Sequence, residues 1–136
     1  MTQTENKTIL IVDDEISVSR SIREVLLGEG YGVEMAPGGQ EALGLIREKF
    51  YDLIIVDLMM PGLNGVDLLR QIKTESPKSP VIMITGYPTM KSSLLAMQLG
   101  AFDFLPKPFL PNTLRQIVAK ALEAPGKTPD DSGVSG

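Results

Sequence analysis

The sequence predicts an α/β protein, with a doubly wound, five-stranded parallel sheet flanked by five helices. Two observations support this fold class. Five short apolar runs alternate with five segments of helical spacing, and three of the runs are apolar at four consecutive positions. Continuous apolarity is typical of parallel strands that helices cover on both faces. A repeated strand–helix order with short connections favours right-handed crossovers, which place helices on both sides of the sheet.

The candidate strands are short and differ in polarity. The first, third and fourth are almost wholly apolar, whereas the second is more polar, as expected at the edge of a sheet. We expect strands at Thr8–Val12, Gly32–Ala36, Leu53–Asp57, Val81–Thr85 and Phe102–Leu105.

The segments between the strands carry apolar residues at the spacing of a helix face. Gly28 and Gly30 are expected to end the first helix, and Gly100 the fourth. In chain order, the apolar positions of the five helices are Val18, Ile22, Val25 and Leu26; Ala42, Leu43, Leu45 and Ile46; Val66, Leu68, Leu69 and Ile72; Leu94, Leu95 and Leu99; and Leu114, Ile117, Val118 and Leu122.

The composition limits the chemistry that the chain can perform. It contains neither cysteine nor histidine, which excludes disulfides, thiolate metal sites and histidine general bases. Any metal ion must therefore be held by oxygen, as Mg²⁺ and Ca²⁺ are. The net charge of −4 and the scattered basic residues argue against direct nucleic-acid binding. No apolar run could cross a membrane, and the polar start lacks the apolar core of a signal peptide, so we expect a cytoplasmic protein.

The length of 136 residues favours a single domain. We expect a flexible N-terminus at 1–6, one domain at 7–123 and a tail at 124–136. The tail has too little apolar surface to order itself, so it is either disordered or the truncated start of a linker.

Polar side chains stand at the carboxyl ends of four of the five predicted strands. Asp13 and Asp14 follow the first strand, Asp57 and Thr85 end the third and fourth, and Lys107 stands just past the fifth. In an open parallel sheet, ligands bind outside these strand ends. Because the carboxyl ends of parallel strands lie at one edge, we expect these side chains to converge.

Each of these residues also has a simple structural interpretation. Asp14 could cap the first helix. Asp57 and Thr85 precede segments with proline and glycine and could serve turns, and Lys107 could be an ordinary solvated lysine. These interpretations account for each residue alone, but they do not explain why all of them stand at the same edge.

The functional interpretation explains the set. Three neighbouring carboxylates repel one another unless a cation lies among them, and Mg²⁺ binds carboxylates, carbonyl oxygens, water and phosphate. A carboxylate beside such an ion can attack phosphorus and form an aspartyl phosphate. Phosphoryl transfer then needs mainly positioning and charge neutralisation. The pattern predicts that Asp57 accepts a phosphoryl group, while the Lys107 ammonium neutralises charge and the Thr85 hydroxyl donates to a phosphoryl oxygen.

The combination of Asp13-Asp14, Asp57, Thr85 and Lys107-Pro108 resembles the receiver domain of response regulators in bacterial two-component signal transduction. The resemblance covers residues 7–123. It includes the stretches Ile11-Val12-Asp13-Asp14-Glu15, Asp57-Leu58-Met59-Met60-Pro61-Gly62 and Gly100-Ala101-Phe102-Asp103-Phe104-Leu105-Pro106-Lys107-Pro108-Phe109. It implies the flavodoxin-like strand order 2-1-3-4-5 and a cis peptide bond between Lys107 and Pro108.

The same resemblance implies roles for the residues at the site. Asp57 is the phosphoacceptor, and Asp13 and Asp14 bind Mg²⁺ together with Asp57 and the backbone carbonyl of Met59. Lys107 contacts the phosphate. Such a domain is not an ordinary enzyme, because it catalyses only its own Mg²⁺-dependent phosphorylation and dephosphorylation.

Two further roles follow from the resemblance. Thr85 and Phe104 form a switch pair, in which the hydroxyl moves toward the phosphate and the aromatic ring turns inward. Met59, two positions after Asp57, has no group that could orient a hydrolytic water. We therefore expect slow self-dephosphorylation, with Tyr87 as a second influence on the phosphate lifetime.

Two other functions would use similar residues. An aspartate-nucleophile phosphatase typically carries a second aspartate two residues after its nucleophile, where this chain has Met59, and usually a cap over its site. A small flavodoxin-like cofactor binder would want a phosphate loop rich in Ser and Thr after the first strand, where this chain has acids. Both alternatives fit the sequence less well than a signalling switch.

The resemblance also implies partners. A histidine kinase, a phosphotransfer protein or a small phosphodonor supplies the phosphoryl group, and an output domain or target protein receives the signal. The surface from the fourth to the fifth helix is the expected output face, with phosphorylation-dependent homodimerisation as one outcome. Residues 84–89 and 102–109 look most like receivers attached to transcriptional activators.

Overall fold

The computed structural model describes residues 7–58, 64–86 and 89–123. Strands and helices alternate strictly along these residues. Their bounds are β1 Thr8–Val12, α1 Ile16–Gly28, β2 Gly32–Ala36, α2 Gly39–Glu48, β3 Leu53–Asp57, α3 Gly65–Glu75, β4 Val81–Thr85, α4 Met90–Gln98, β5 Asp103–Pro106 and α5 Pro111–Glu123.

The five strands form one parallel sheet in the order β2-β1-β3-β4-β5, which confirms the predicted fold class and strand order. β2 lies at an edge and is only partly buried, as its polarity indicates. β5 begins and ends one residue later than predicted, because Asp103 pairs with Ile82 and the ladder continues to Pro106 opposite Thr85. Phe102 still donates a backbone hydrogen bond to Val81, just before the strand begins.

Helices cover both faces of the sheet and create two hydrophobic cores. Residues of the central strands alternate between them: Leu10 contributes to the core under α2, α3 and α4, whereas Ile9 and Ile11 contribute to the core under α1 and α5. This alternation follows from the two-residue period of a strand. All five residues of β3 and of β4 are buried, which is why neither strand alternates between polar and apolar residues.

The fourth helix differs from the others because its contact with the core is narrow. Ala96 is the one buried residue of α4, and Leu95 is only partly buried. Leu94, predicted as part of an apolar helix face, is 56% exposed. Two residues of α-helix correspond to a rotation of about 200°, so Leu94 and Ala96 point to opposite sides.

Two helices end at glycines in the left-handed region, as predicted from the sequence. Gly30 has φ of 93° after α1, and Gly100 has φ of 103° after α4. This conformation is strained for residues with a Cβ atom.

The predicted terminal segments 1–6 and 124–136 lie outside the described residues, so the domain limits at 7 and 123 stay predictions. Within the described part of the chain, every helix is too short or too polar to cross a membrane.

Candidate functional site

The carboxyl ends of four strands meet at one edge of the sheet. Val12 of β1 pairs with Val56 of β3, so Asp13 and Asp57 follow neighbouring positions. Thr85 of β4 pairs with Pro106 of β5, directly before Lys107. The Lys107 backbone N–H also donates to the Thr85 carbonyl at 2.7 Å. The strand register therefore brings together side chains that are far apart in the sequence.

The Lys107 ammonium contacts three carboxylates of the site. Its Nζ donates to Asp57 Oδ2 at 3.3 Å, and to Asp13 Oδ2 at 3.5 Å. A third carboxylate, that of Glu15, lies 3.3 Å away through Oε1. The Lys107 side chain is 17% exposed, and the peptide bond to Pro108 is cis, as the resemblance implies. Lys107 is thus a partly buried cation shared by several acids, rather than a solvated surface lysine.

Three aspartates form a compact cluster beside this lysine. One carboxylate oxygen from each of Asp13, Asp14 and Asp57 lies within 4.8 Å of the others. Asp13 and Asp57 are buried, whereas Asp14 is exposed. Asp13 Oδ1 also accepts a hydrogen bond from the Glu15 backbone N–H at 2.9 Å, which orients the carboxylate.

The electrostatics of the cluster show an excess of negative charge. The pKa of Asp13 is raised to about 6, mainly by burial and in addition by the nearby Asp57 charge, against the lowering effects of the Glu15 N–H and of Lys107. Burial alone would lower the pKa of Lys107, but the charges of Asp13 and Asp57 and its hydrogen bonds raise it above its ordinary value. The lysine therefore stays charged, yet it cannot neutralise all of the surrounding carboxylates.

The donor set fits a hard divalent cation. The cluster offers carboxylate oxygens alone among its side chains, which suits Mg²⁺ or Ca²⁺ and does not suit a transition metal. A buried carboxylate whose pKa is raised also gains from a nearby cation, because the ion stabilises the ionised form that burial and the Asp57 charge disfavour.

The interpretation of Asp14 as a helix cap is wrong. The N-cap residue of α1 is Glu15, and no side chain caps the helix there. The Asp14 carboxylate instead belongs to the aspartate cluster. The contact of Glu15 with Lys107 was missed, because 92 residues separate the two in sequence and no local pattern joins them.

Thr85 and Phe104 lie on the same face of the sheet. Thr85 is fully buried at the end of β4, and Met83, two residues earlier, pairs with Phe104 of β5. Phe104 is partly buried against the core under α2, α3 and α4. Because residues two apart along a strand share a face, the Thr85 hydroxyl and the Phe104 ring belong to the side covered by α4.

Comparison with known families decides the assignment. Residues 9–119 match the model of the response regulator receiver domain. The chain belongs to this family. The two alternatives considered from the sequence, a phosphatase and a flavodoxin-like cofactor binder, are set aside by this match.

Curated relatives of the receiver domain are longer regulatory proteins. The transcriptional regulatory protein ZraR of Escherichia coli K12 is 34% identical over 140 aligned positions, covering 97% of this chain and 32% of ZraR. The response regulator MprA of Mycolicibacterium vanbaalenii is 35% identical over 125 positions, covering 92% of this chain and 53% of MprA. The chain thus spans about a third to a half of the length of these relatives.

Solved structures of receiver domains are also similar to this chain. A CheY-like receiver domain from Methanospirillum hungatei JF-1 has a TM-score of 0.83 and 33% identity, covering 86% of this chain and 94% of that one. The beryllofluoride-activated NtrC4 receiver domain dimer has a TM-score of 0.82 and 37% identity, covering 85% and 96%.

Two predicted positions of the receiver domain, Met59 and Tyr87, lie outside the described residues. The residues on either side of 59–63 contact one another. The Gly65 backbone N–H donates to the Leu58 carbonyl at 3.0 Å. A Cβ atom on Gly65 would lie 2.6 Å from that carbonyl oxygen, so the close approach requires glycine.

Proposed function

We propose that this receiver domain is a phosphorylation-activated signalling switch in which Asp57 accepts the phosphoryl group. The observation that carries the proposal is the position of Asp57. It is a buried carboxylate at the end of a central strand, 3.3 Å from the Lys107 ammonium and within 4.8 Å of Asp13 and Asp14 oxygens. A nucleophile in this setting has both an ammonium cation and two further acidic metal ligands close by.

Asp13, Asp14 and Asp57 would hold Mg²⁺, together with the backbone carbonyl of Met59. The compact carboxylate cluster supports the three side-chain ligands, whereas the Met59 ligand rests on the family resemblance. Mg²⁺ supplies charge neutralisation to phosphoryl oxygens during transfer.

The covalent step takes place on the Asp57 carboxylate. One Oδ forms a bond to phosphorus while the bond from phosphorus to the donor breaks, and the donor atom leaves with the electron pair. That atom is a nitrogen in a phosphohistidine of a kinase or phosphotransfer protein, and an oxygen in acetyl phosphate. Lys107 neutralises the transferred group, and the Thr85 hydroxyl donates to one of its oxygens. The domain thus catalyses its own phosphorylation, and hydrolysis of the same bond reverses it.

The signal would pass through Thr85 and Phe104. Movement of the Thr85 side chain toward the phosphoryl group opens space on the face that it shares with the Phe104 ring. α4 covers this face with few buried residues, and elements with few buried contacts shift at low free-energy cost. We therefore assign the output surface to α4, β5 and α5, where ordering by phosphate contacts can change the shape of the domain.

A phosphodonor protein would dock beside the site. A largely apolar groove of about 390 Å³ opens between α1 and α5, and Lys107 forms part of its wall. A helix of a histidine kinase or phosphotransfer protein in this groove could present a phosphohistidine to Asp57. Such a kinase partner places the domain in the cytoplasm.

The opposite surface suits a partner that responds to phosphorylation. Met90, Leu94 and Met97 are exposed on α4 at helical spacing, and together they form an apolar strip. The activated NtrC4 receiver domain is a dimer. We propose a phosphorylation-dependent homodimer through this strip, and an output domain that regulates transcription in the full protein, as the names of ZraR and its relatives indicate.

The test is intact mass spectrometry after incubation with Mg²⁺ and acetyl phosphate. Wild type is expected to gain one phosphoryl group, whereas Asp57→Ala and a sample with EDTA gain none. Asp67→Asn, a change at an exposed acid on α3, is the matched control and should be phosphorylated like wild type. Addition of a phosphoryl group to Asp57→Ala, or no addition to folded wild type with Mg²⁺, would contradict the proposal.

A further inference from the structure

Glu15 makes a contact that helix formation does not require. It is the N-cap residue of α1, but no cap hydrogen bond comes from its side chain. Its carboxylate instead approaches Lys107 Nζ at 3.3 Å, as close as the buried Asp57 carboxylate does. The Glu15 side chain is 59% exposed, so it reaches the lysine from the rim of the site.

The Lys107 ammonium is therefore attracted in two different directions. Asp13 and Asp57 attract it into the buried cluster, and Glu15 attracts it toward solvent. An ammonium has three donors and no fixed plane, so its position follows the balance of the charges around it. Any cation that binds among Asp13, Asp14 and Asp57 must share the Asp13 and Asp57 carboxylates with the same ammonium.

We infer that Glu15 is a positioning residue that holds Lys107 at the rim of the site, which favours Mg²⁺ binding and slows phosphoryl transfer to Asp57. The inference rests on the proposed function. With Glu15 present, the buried carboxylates are less occupied by the lysine and attract a divalent cation more strongly. When a phosphoryl group arrives, the lysine must leave Glu15 to neutralise it, and the Glu15 charge also repels an anionic donor.

The variant Glu15→Gln is nearly isosteric and removes the charge. Two effects of opposite sign are expected, each about twofold to fivefold, the range for a solvent-exposed ion pair. The affinity of unphosphorylated protein for Mg²⁺ falls, because Lys107 moves toward Asp13 and Asp57. At saturating Mg²⁺, the rate of phosphorylation by acetyl phosphate rises, because Lys107 is available to the phosphoryl group.

The experiment measures both quantities, the Mg²⁺ dissociation constant by isothermal titration calorimetry and the rate by intact mass. Glu24→Gln, at an exposed position of α1, is the control because it changes the net charge equally away from the cluster. A third arm repeats the Mg²⁺ titration in a Lys107→Gln background. In that background, Glu15→Gln should change the Mg²⁺ affinity no more than Glu24→Gln does, since Glu15 acts through the lysine.

Weaker Mg²⁺ binding together with faster phosphorylation, both dependent on Lys107, would support the inference. The inference would be overturned if Glu15→Gln and Glu24→Gln had the same Mg²⁺ affinity and the same phosphorylation rate. It would also be overturned if Glu15→Gln lowered both the Mg²⁺ affinity and the phosphorylation rate, or if it still lowered the Mg²⁺ affinity in the Lys107→Gln background. Failure of wild type to take up phosphate would overturn the proposed function instead. The calorimetric arms would still show whether Glu15 controls the position of Lys107.

Discussion

Lys107 Nζ lies 3.3 Å from Asp57 Oδ2, although the two residues are 50 positions apart in the chain. The contact depends on the sheet, since β3 and β5 are both neighbours of β4. It places a permanent positive charge beside the proposed phosphoacceptor. The same ammonium also contacts Asp13 and Glu15, so its removal should affect both charge balance and chemistry.

Replacing Lys107 by glutamine should slow phosphorylation of Asp57 by acetyl phosphate by about 100-fold, the usual effect of removing one donor to a developing negative charge. The time course of intact mass at saturating Mg²⁺ measures this rate. Lys78→Gln, at an exposed lysine outside the site, is the control and should react like wild type. An unchanged rate in Lys107→Gln would show that the ammonium does not contact the phosphoryl group.

The stability of the metal-free protein should depend on Asp13 and on pH. Burial, together with the Asp57 charge, raises the pKa of Asp13 from 3.8 to about 6, so the folded protein holds this proton more tightly than the unfolded chain does. The Asp13 contribution to stability therefore falls as pH rises from about 4 to about 6, and stays low above that. The full difference corresponds to about 3 kcal/mol at 1.36 kcal/mol per pKa unit.

Urea denaturation with EDTA at a series of pH values tests this expectation against Asp13→Asn. The asparagine variant should be the more stable protein at pH 7.5, and its advantage should vanish near pH 4. Addition of Mg²⁺ should stabilise wild type more than the variant, because the variant lacks one of the carboxylates. A constant difference between the two proteins across this pH range would contradict the prediction.

Gly65→Ala should destabilise the domain, because the added Cβ would lie 2.6 Å from the Leu58 carbonyl oxygen and 2.9 Å from that of Asp57. Both are backbone atoms at the end of β3, so relief requires a shift of the strand end, at a cost of about 1–3 kcal/mol. Gly44→Ala is the control: it lies within α2 with no heavy atom near its Cβ position, and should stabilise by about 0.5–1 kcal/mol. Chemical denaturation measures both. Equal stability changes in the two variants would show that the Cβ position of Gly65 is not in close contact with the Leu58 backbone.

The apolar strip on α4 should control association of the activated protein. Leu94→Asn changes a side chain that is 56% exposed, so stability should change by less than about 0.5 kcal/mol. Sedimentation of beryllofluoride-treated protein should show weaker dimerisation in this variant than in wild type. Leu27→Asn, an exposed leucine of α1, is the control. A dimer that weakens equally in both variants would place the interface elsewhere.

Met59→Asn should shorten the lifetime of the phosphorylated state, because an amide two positions after Asp57 can orient a hydrolytic water. The decay of the added mass after removal of the phosphodonor gives the rate constant. Met90→Asn on α4 is a matched substitution at an exposed methionine and should leave this rate unchanged. Phosphate that decays no faster in Met59→Asn would remove the proposed role of this position.

The apolar pattern of the sequence predicted the fold class, for a physical reason. Runs such as Ile9–Val12 and Leu53–Val56 are apolar at every position, and such runs are typical of parallel strands buried on both faces. Because parallel strands direct their carboxyl ends to one edge, Asp13, Asp57, Thr85 and Lys107 could be expected to share a site. The resemblance then supplied the strand order.

Contacts between residues that are far apart in the sequence could be determined only from the tertiary structure. The approach of Glu15 to Lys107 depends on how α1 begins beside the end of β5, and no local pattern encodes it. The sequence pattern also did not predict that Leu94 faces solvent. The α4 helix has apolar residues on two sides, and only its packing against the rest of the domain determines that Ala96 is the buried one. Local periodicity shows where apolar residues lie on an element, whereas the direction that the element faces is determined by its neighbours.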